Sequence, residues 1–147
     1  MGEIPGAVLF ACSENSIRSP IAEAIMKSKW GTRVYVDSAG VRAGDVNPFA
    51  ISVLEEVGVD LSRHRPKTLD NLEDDSFDVI ITLSPEAHHK ALEMVRGLSC
   101  EVEYWPTIDP SVVEGSRDAV LDAFRDTRDA IEMRIMRRFP RIGAPEV

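Results

Sequence analysis

An α/β fold is predicted for this 147-residue chain, a single three-layer domain over 1–147 with a four-stranded parallel sheet and helices on both faces. Three observations lead there. The apolar runs at 7–11 and 77–83 lack polar alternation, the pattern of strands buried on both faces. Each strand-like run is followed by residues at helical spacing, so strand and helix alternate, which implies right-handed crossovers between parallel strands. No repeat, linker or low-complexity stretch divides the chain, and its length suffices to bury about two-thirds of the unfolded surface in one core.

Taken in order, Ala7 to Ala11 form the first strand and deliver Cys12 to the carboxyl edge of the sheet. Ser13 to Ser19 make a polar loop. Pro20 suits the first turn of a helix, where a missing N–H costs nothing, and Ile21, Ala22, Ile25 and Met26 recur behind it at helical spacing. Arg33 to Asp37 read as a second strand and Ser38-Ala39-Gly40 as the turn that ends it. After Pro48, the residues Ile51, Leu54 and Val57 mark a helix that Gly58 terminates. Residues 60–67 are irregular, and the acidic NLEDDS is a solvated turn. Phe77 to Leu83 form the third strand, and Ser84-Pro85-Glu86 open the next helix. Glu101 to Trp105 are a shorter fourth strand, followed by a loop at 107–115 rich in acid and proline. From Ser116 the longest helix places Val120, Phe124, Thr127, Ile131 and Ile135 on one face. Arg134, Arg137, Arg138 and Arg141 complement the carboxyl end of its dipole.

Composition narrows the function. A net charge of −8 argues against nucleic acid as the main partner. Two distant cysteines are no disulfide framework, and the chain shows neither a signal-peptide pattern at its start nor an apolar run of membrane-spanning length. A cytoplasmic protein that does not meet a membrane is expected. His88 and His89 share one helix without a Cys/His cluster near them, so neither a metal nor a cofactor is expected. Trp105 reads as core packing near a pocket mouth.

Ligands of such sheets bind beyond the carboxyl ends of the strands, which puts Cys12, Ser38, Ser84 and the loop after the fourth strand on one rim. A loop of this length closing onto a helix N-terminus turns successive amides inward and makes a nest for an oxyanion. Arg18 adds a planar fork that pairs two phosphate oxygens and leaves a face open to Cys12. The helix terminus and the arginine together favour the thiolate form of such a cysteine.

Cys12-Ser13-Glu14-Asn15-Ser16-Ile17-Arg18-Ser19-Pro20 resembles the signature loop of the low-molecular-weight protein tyrosine phosphatases, whose fold the thioredoxin-coupled arsenate reductases share. The resemblance spans about residues 7–135 and implies a phosphatase-type phosphate-binding loop after the first strand. It implies Cys12 as nucleophile, Arg18 as phosphate clamp, and phosphate binding by Ser13, Glu14, Asn15, Ser16, Ile17 and Ser19. Asp109, in an Asp-Pro pair after the fourth strand, is where the family keeps its general acid. Asn15, Ser19, Ser38 and His64 match the hydrogen-bonded set that holds the loop asparagine left-handed, a conformation asparagine tolerates. A phosphorylated protein or small aryl phosphate would be the substrate.

The chain also departs from that pattern. Glu14 stands where the family usually has glycine, Ile17 where it often has cysteine. The segments VRAGDVN and Ser111-Val112 lack the aromatics that flank a phosphotyrosine ring. TLSPEAHHK and WPTIDPSVVEGS look closer to the arsenate reductases, yet Leu83-Ser84 replaces the first relay thiol and Cys100 is the one other cysteine. The leading reading is a cysteine-dependent phosphomonoesterase, a protein tyrosine phosphatase acting through phosphocysteine. The alternatives are a thiol-dependent arsenate reductase and a weakly active phosphate-binding relative.

Overall fold

The computed structural model describes residues 5–72 and 76–139. Four strands, β1 (Ala7–Cys12), β2 (Tyr35–Gly40), β3 (Val79–Thr82) and β4 (Glu101–Tyr104), form one parallel sheet in the order β2-β1-β3-β4. Helices α1 (Arg18–Trp30), α2 (Pro48–Glu55), α3 (Pro85–Met94) and α4 (Arg117–Arg138) alternate with them. The strand order reverses at β1, so the crevice that open α/β sheets use for ligands lies just beyond Cys12.

The pleat sorts β1 between two cores. Val8, Phe10 and Cys12 face a large cluster with Ile21, Ile25, Leu54, Phe124 and Ile131, under α1, α2 and α4. Leu9 and Ala11 face a smaller one with Ile80, Ala87 and Ala91, under α3. With both faces covered, polar alternation has no place on β1 or β3, which is why these strands read as continuous apolar runs. Trp105 packs its ring against Phe10 at 6.1 Å, and Arg134 lies over its outer face at 5.4 Å. Glu56, just past α2, is clamped by Arg125 and Arg128 of α4 at 2.7 and 2.8 Å, and these two guanidiniums hold its carboxyl down at about 2.

Several boundaries differ from the sequence reading. Ser38-Ala39-Gly40 is not a turn but the end of β2, paired with Phe10, Ala11 and Cys12. Pairing with a central strand overrides the weak β preference of Ser, Ala and Gly. Helix α1 begins at Arg18, two residues before Pro20, so Arg18 and Ser19 belong to its first turn and the loop ends at Ile17. Helix α2 stops at Glu55, leaving Val57 half exposed, although Gly58 does take a left-handed φ of 77°. β3 and β4 are shorter than read, and Ser84 and Ser116 cap α3 and α4 through their side chains. Part of NLEDDS, the first four residues and Arg141 lie outside the described residues. Among those described, no helix is long and apolar enough to cross a membrane.

Candidate active site

The loop between β1 and α1 has its carbonyls turned away from the crevice. Those of Cys12, Ser13, Glu14 and Ser16 accept from the amides of Val41, Arg42, Gly44 and Asn47 at 2.8–3.1 Å, and that of Ile17 accepts from Ile21. The amides of Ser13 to Ile17 have no acceptor among the described residues. Backbone N–H groups are seldom left unpaired in a folded chain, and five in succession at a helix N-terminus are the kind of donor set that can receive an anion. The loop opens on a cavity of about 200 Å³ whose lining includes Cys12, Ser13, Glu14, Arg18, Asp45 and Asp109. Each of the three groups that the resemblance implies for catalysis is therefore at one site.

Asn15 holds the loop's shape. Its φ is 55°, the one left-handed value among described non-glycine residues, and its side chain is fully buried. The amide Nδ2 donates to Ser19 Oγ at 2.8 Å and to Ser38 Oγ at 2.9 Å. Its Oδ1 accepts from the Lys67 amide at 3.1 Å and from His64 Nε2 at 3.0 Å. Both serines therefore keep their own protons for other partners. Ser38 donates to Glu23 Oε1, and the Ser19 hydroxyl, with one proton to give, lies 2.9 Å from Cys12 Sγ and 3.5 Å from the Ala39 carbonyl oxygen. Ser19, Ser38, Asn15 and His64, the four that the resemblance groups together, thus lie in one hydrogen-bonded set.

Glu23 and Gly40 escaped the sequence reading. Glu23 lies mid-helix on α1, where an acidic residue ordinarily faces water, yet it is buried between Ser38, Lys27 and His64, whose Nδ1 is 3.8 Å away. No local signal reveals it, because its partners come from β2 and from a loop 41 residues on. Gly40 had a signal, a glycine at a strand end facing another loop. A Cβ there would lie 2.5 Å from the Arg42 carbonyl oxygen, 2.7 Å from the Asn15 nitrogen and 2.8 Å from the Glu14 carbonyl carbon. All three are backbone atoms, so the loop itself must move. Gly40→Ala is expected to lower kcat/KM by about 10²-fold, the scale on which ångström misplacements act, with the far-ultraviolet circular dichroism spectrum unchanged.

Burial pushes the His64 imidazolium below the ordinary 6.5, against the opposing pull of Glu23. The sign is fixed by linkage: below 6.5 the unfolded chain takes up a proton that the folded one resists. Stability is thus full above that value and falls as pH drops from 6.5 toward the folded value. Thermal midpoints measured from pH 7.5 to 5.5 are expected to fall, and less so in His64→Gln.

Arg18 and Asp109 reach the cavity from different sides. Arg18 Nη1 donates to the Thr107 carbonyl at 2.9 Å, so the guanidinium ties the phosphate loop to the loop after β4. It makes no ion pair among the described residues, which leaves its charge for a ligand. Asp109 caps a single 3-10 turn at Pro110–Val112, its Oδ1 accepting from the Ser111 amide at 2.9 Å and hydroxyl at 2.7 Å. Its Oδ2 has no such partner among the described residues. Ser111, whose two bonds orient the carboxyl, was absent from the sequence-derived site; the Asp-Pro-Ser order is its signal.

Cys100 lies elsewhere. The register pairs Glu101 through Val79 with Val8, so Cys100 sits five residue levels below Cys12. At about 3.3 Å per level that is roughly 16 Å along the strands, and two strands across, far beyond disulfide reach. Burial pushes its thiol up, which disfavours the reactive thiolate. His88 is taken up by Thr82 Oγ1 at 2.9 Å and a stack on Tyr104, and no cluster of potential metal ligands occurs among the described residues.

A parallel sheet with an amide-lined loop at its switch point, a cysteine and an arginine in that loop and a carboxyl opposite defines the class of cysteine-loop phosphate-binding α/β proteins. The pattern of the low molecular weight phosphotyrosine protein phosphatase family matches residues 7–143, and the chain belongs to that family. It is 33% identical over 128 residues to an arsenate reductase of Halalkalibacterium halodurans, covering 87% of this chain and 91% of the relative. A solved arsenate reductase in its phosphate-binding state superposes with a TM-score of 0.75 at 30% identity, covering 89% and 94% of the two chains. The YwlE arginine phosphatase of Geobacillus stearothermophilus gives 0.75 at 25% identity and 90% of each chain.

Proposed function

We propose that this protein hydrolyses phosphomonoesters, with phosphotyrosine in proteins as the leading substrate class, through a phosphocysteine intermediate. The observation that supports this most is the convergence of Cys12, Arg18 and Asp109 on one small cavity beside five unpaired amides. The Cys12 thiolate attacks phosphorus in line and forms an S–P bond as the ester P–O bond breaks. Asp109 gives its proton to the departing oxygen. The amides of Ser13 to Ile17 and the Arg18 fork bind the equatorial oxygens, where charge develops in the transition state. Asp109, now a carboxylate, takes a proton from water as that water attacks phosphorus, and the S–P bond breaks to release phosphate and thiolate.

The test is rapid mixing with p-nitrophenyl phosphate, where a burst of p-nitrophenol equal to the enzyme concentration is the expected result. Asp109→Asn is expected to cost about 10²- to 10⁴-fold in kcat on tyrosyl phosphate, the usual span of general acid catalysis. The loss should be smaller on p-nitrophenyl phosphate, whose leaving group is less basic and needs the proton less. Equal losses on both would remove Asp109 from this role.

A second reading draws on the relatives named arsenate reductase. Arsenate has the shape and charge of phosphate and would form the corresponding S–As bond at Cys12. Reducing that adduct needs two electrons from thiols, and the distance to Cys100 means an external thiol would have to supply them. Arsenate-dependent oxidation of thioredoxin or glutathione measures this directly. The likeness to an arginine phosphatase extends the panel to phosphoarginine, since the same displacement splits a P–N bond and a pocket without aromatic walls does not require a phenol.

A further inference from the structure

The mouth of the cavity carries an uneven charge. Glu14, Asp45 and Asp109 line it, and Arg18 is the one cation that does. Glu14 is exposed, with its side chain laid along Gly44: a Cβ on that glycine would stand 2.7 Å from Glu14 Oε1. Asp45 is exposed on the next residue. Neither carboxylate has an ion pair or hydrogen bond among the described residues. Of the nearby cations, Arg42 is held in a two-bond pair with Glu86 at 2.7 and 3.1 Å and acts on Glu14 only as a weaker, longer-range charge, and Arg117 lies over the Phe49 ring at 5.5 Å. The acid loop itself carries uncharged, exposed side chains on either side of Asp109, Ile108 at 79% and Val112 at 70%.

The five free amides and Arg18 independently call for an anion at the bottom of this cavity, so the carboxylates above work against the ligand the floor attracts. A dianion meets two unpaired negative charges on entry, and exposed charges at such range act through Coulomb attraction or repulsion screened by salt. A substrate that brings its own cation beside the phosphoryl group cancels this repulsion and gains attraction. A substrate flanked by acids meets more of it.

We propose that Glu14 and Asp45 are specificity-determining residues that select phosphorylated side chains flanked by lysine or arginine. This rests on the phosphatase reading above and assigns a substrate class to it. The lost aromatic walls fit the same picture, since recognition by neighbouring charge replaces recognition by ring stacking.

The experiment compares two phosphotyrosine peptides, one with lysines and one with glutamates on either side, at 20 and 300 mM salt. At low salt the basic peptide is expected to have about tenfold higher kcat/KM, carried by KM, since one unit of charge at contact distance in water is worth about fivefold and the flanks differ by more than one unit. The ratio should shrink at high salt. Asp45→Lys should reverse the preference, and Glu14→Gln with Asp45→Asn should flatten it. Equal turnover of both peptides by the native protein at low salt would overturn this proposal and leave the phosphatase reading standing. Failure to hydrolyse either peptide would overturn both.

Discussion

Cys12→Ser is expected to abolish hydrolysis, with kcat reduced by about 10⁴-fold or more and the burst on p-nitrophenyl phosphate gone. The reason lies in how little else the substitution touches. Cys12 is buried at the end of a central strand, and a serine Oγ can keep the contact to Ser19 Oγ that the sulfur makes at 2.9 Å. The free amides and Arg18 remain, so the loop should still bind phosphate. A hydroxyl, however, ionises far less readily than a thiol and is a poor substitute in the displacement proposed above. Phosphate or vanadate titrated calorimetrically into Cys12→Ser should bind within several-fold of the native affinity while turnover is lost. Loss of oxyanion binding together with turnover would mean that the sulfur shapes the bowl rather than attacking from it. Retained turnover would remove Cys12 from the reaction altogether.

What could be read from the sequence was whatever is local. Strand, loop and helix from Ala7 to Met26 are continuous in the chain, and the apolar runs of β1 and β3 announce a sheet covered on both faces. Cys12 and Arg18 stand out because an apolar strand runs straight into a polar loop that closes on a helix, whereas Asp109 needed the family resemblance, since an Asp-Pro pair by itself only starts a turn. Asn15, Ser38 and His64 needed the family resemblance, because three polar residues spread over 50 positions have no spacing rule of their own.

What escaped was set by tertiary contact. Ser38 to Gly40 look like a turn, and only pairing with Phe10 to Cys12 makes them strand. Gly40 matters because the phosphate loop passes over it within Cβ distance, a fact of packing between segments 25 residues apart. Glu23 has the surroundings of a solvent-facing helix residue in the sequence, and its burial follows from the hydroxyl and imidazole brought to it. A buried carboxylate persists only where such partners compensate its lost hydration. The same network connects Glu23 to the sulfur through Ser38, Asn15 and Ser19, so a residue with no contact to the cavity helps fix the conformation of the loop that lines it.

Arg18→Lys is the second large effect expected, about 10³-fold in kcat/KM, and its interpretation turns on the bond to Thr107. A lysine keeps the charge but offers a point donor where the guanidinium offers a fork, so two-oxygen pairing with the phosphoryl group is lost. Groups that stabilise the charge of a transferring phosphoryl are worth about 10³–10⁵ in rate. Arg18 does a second thing, because Nη1 holds the carbonyl two residues before Asp109 at 2.9 Å and so ties the acid loop to the phosphate loop. If that tie places the acid, removing it already sacrifices part of what Asp109 contributes. The double variant Arg18→Lys with Asp109→Asn should then lose less than the product of the two single losses, the signature of residues acting as a unit. Strict multiplicativity would confine Arg18 to the phosphate and leave the acid loop to be placed by Ser111 and Pro110 alone.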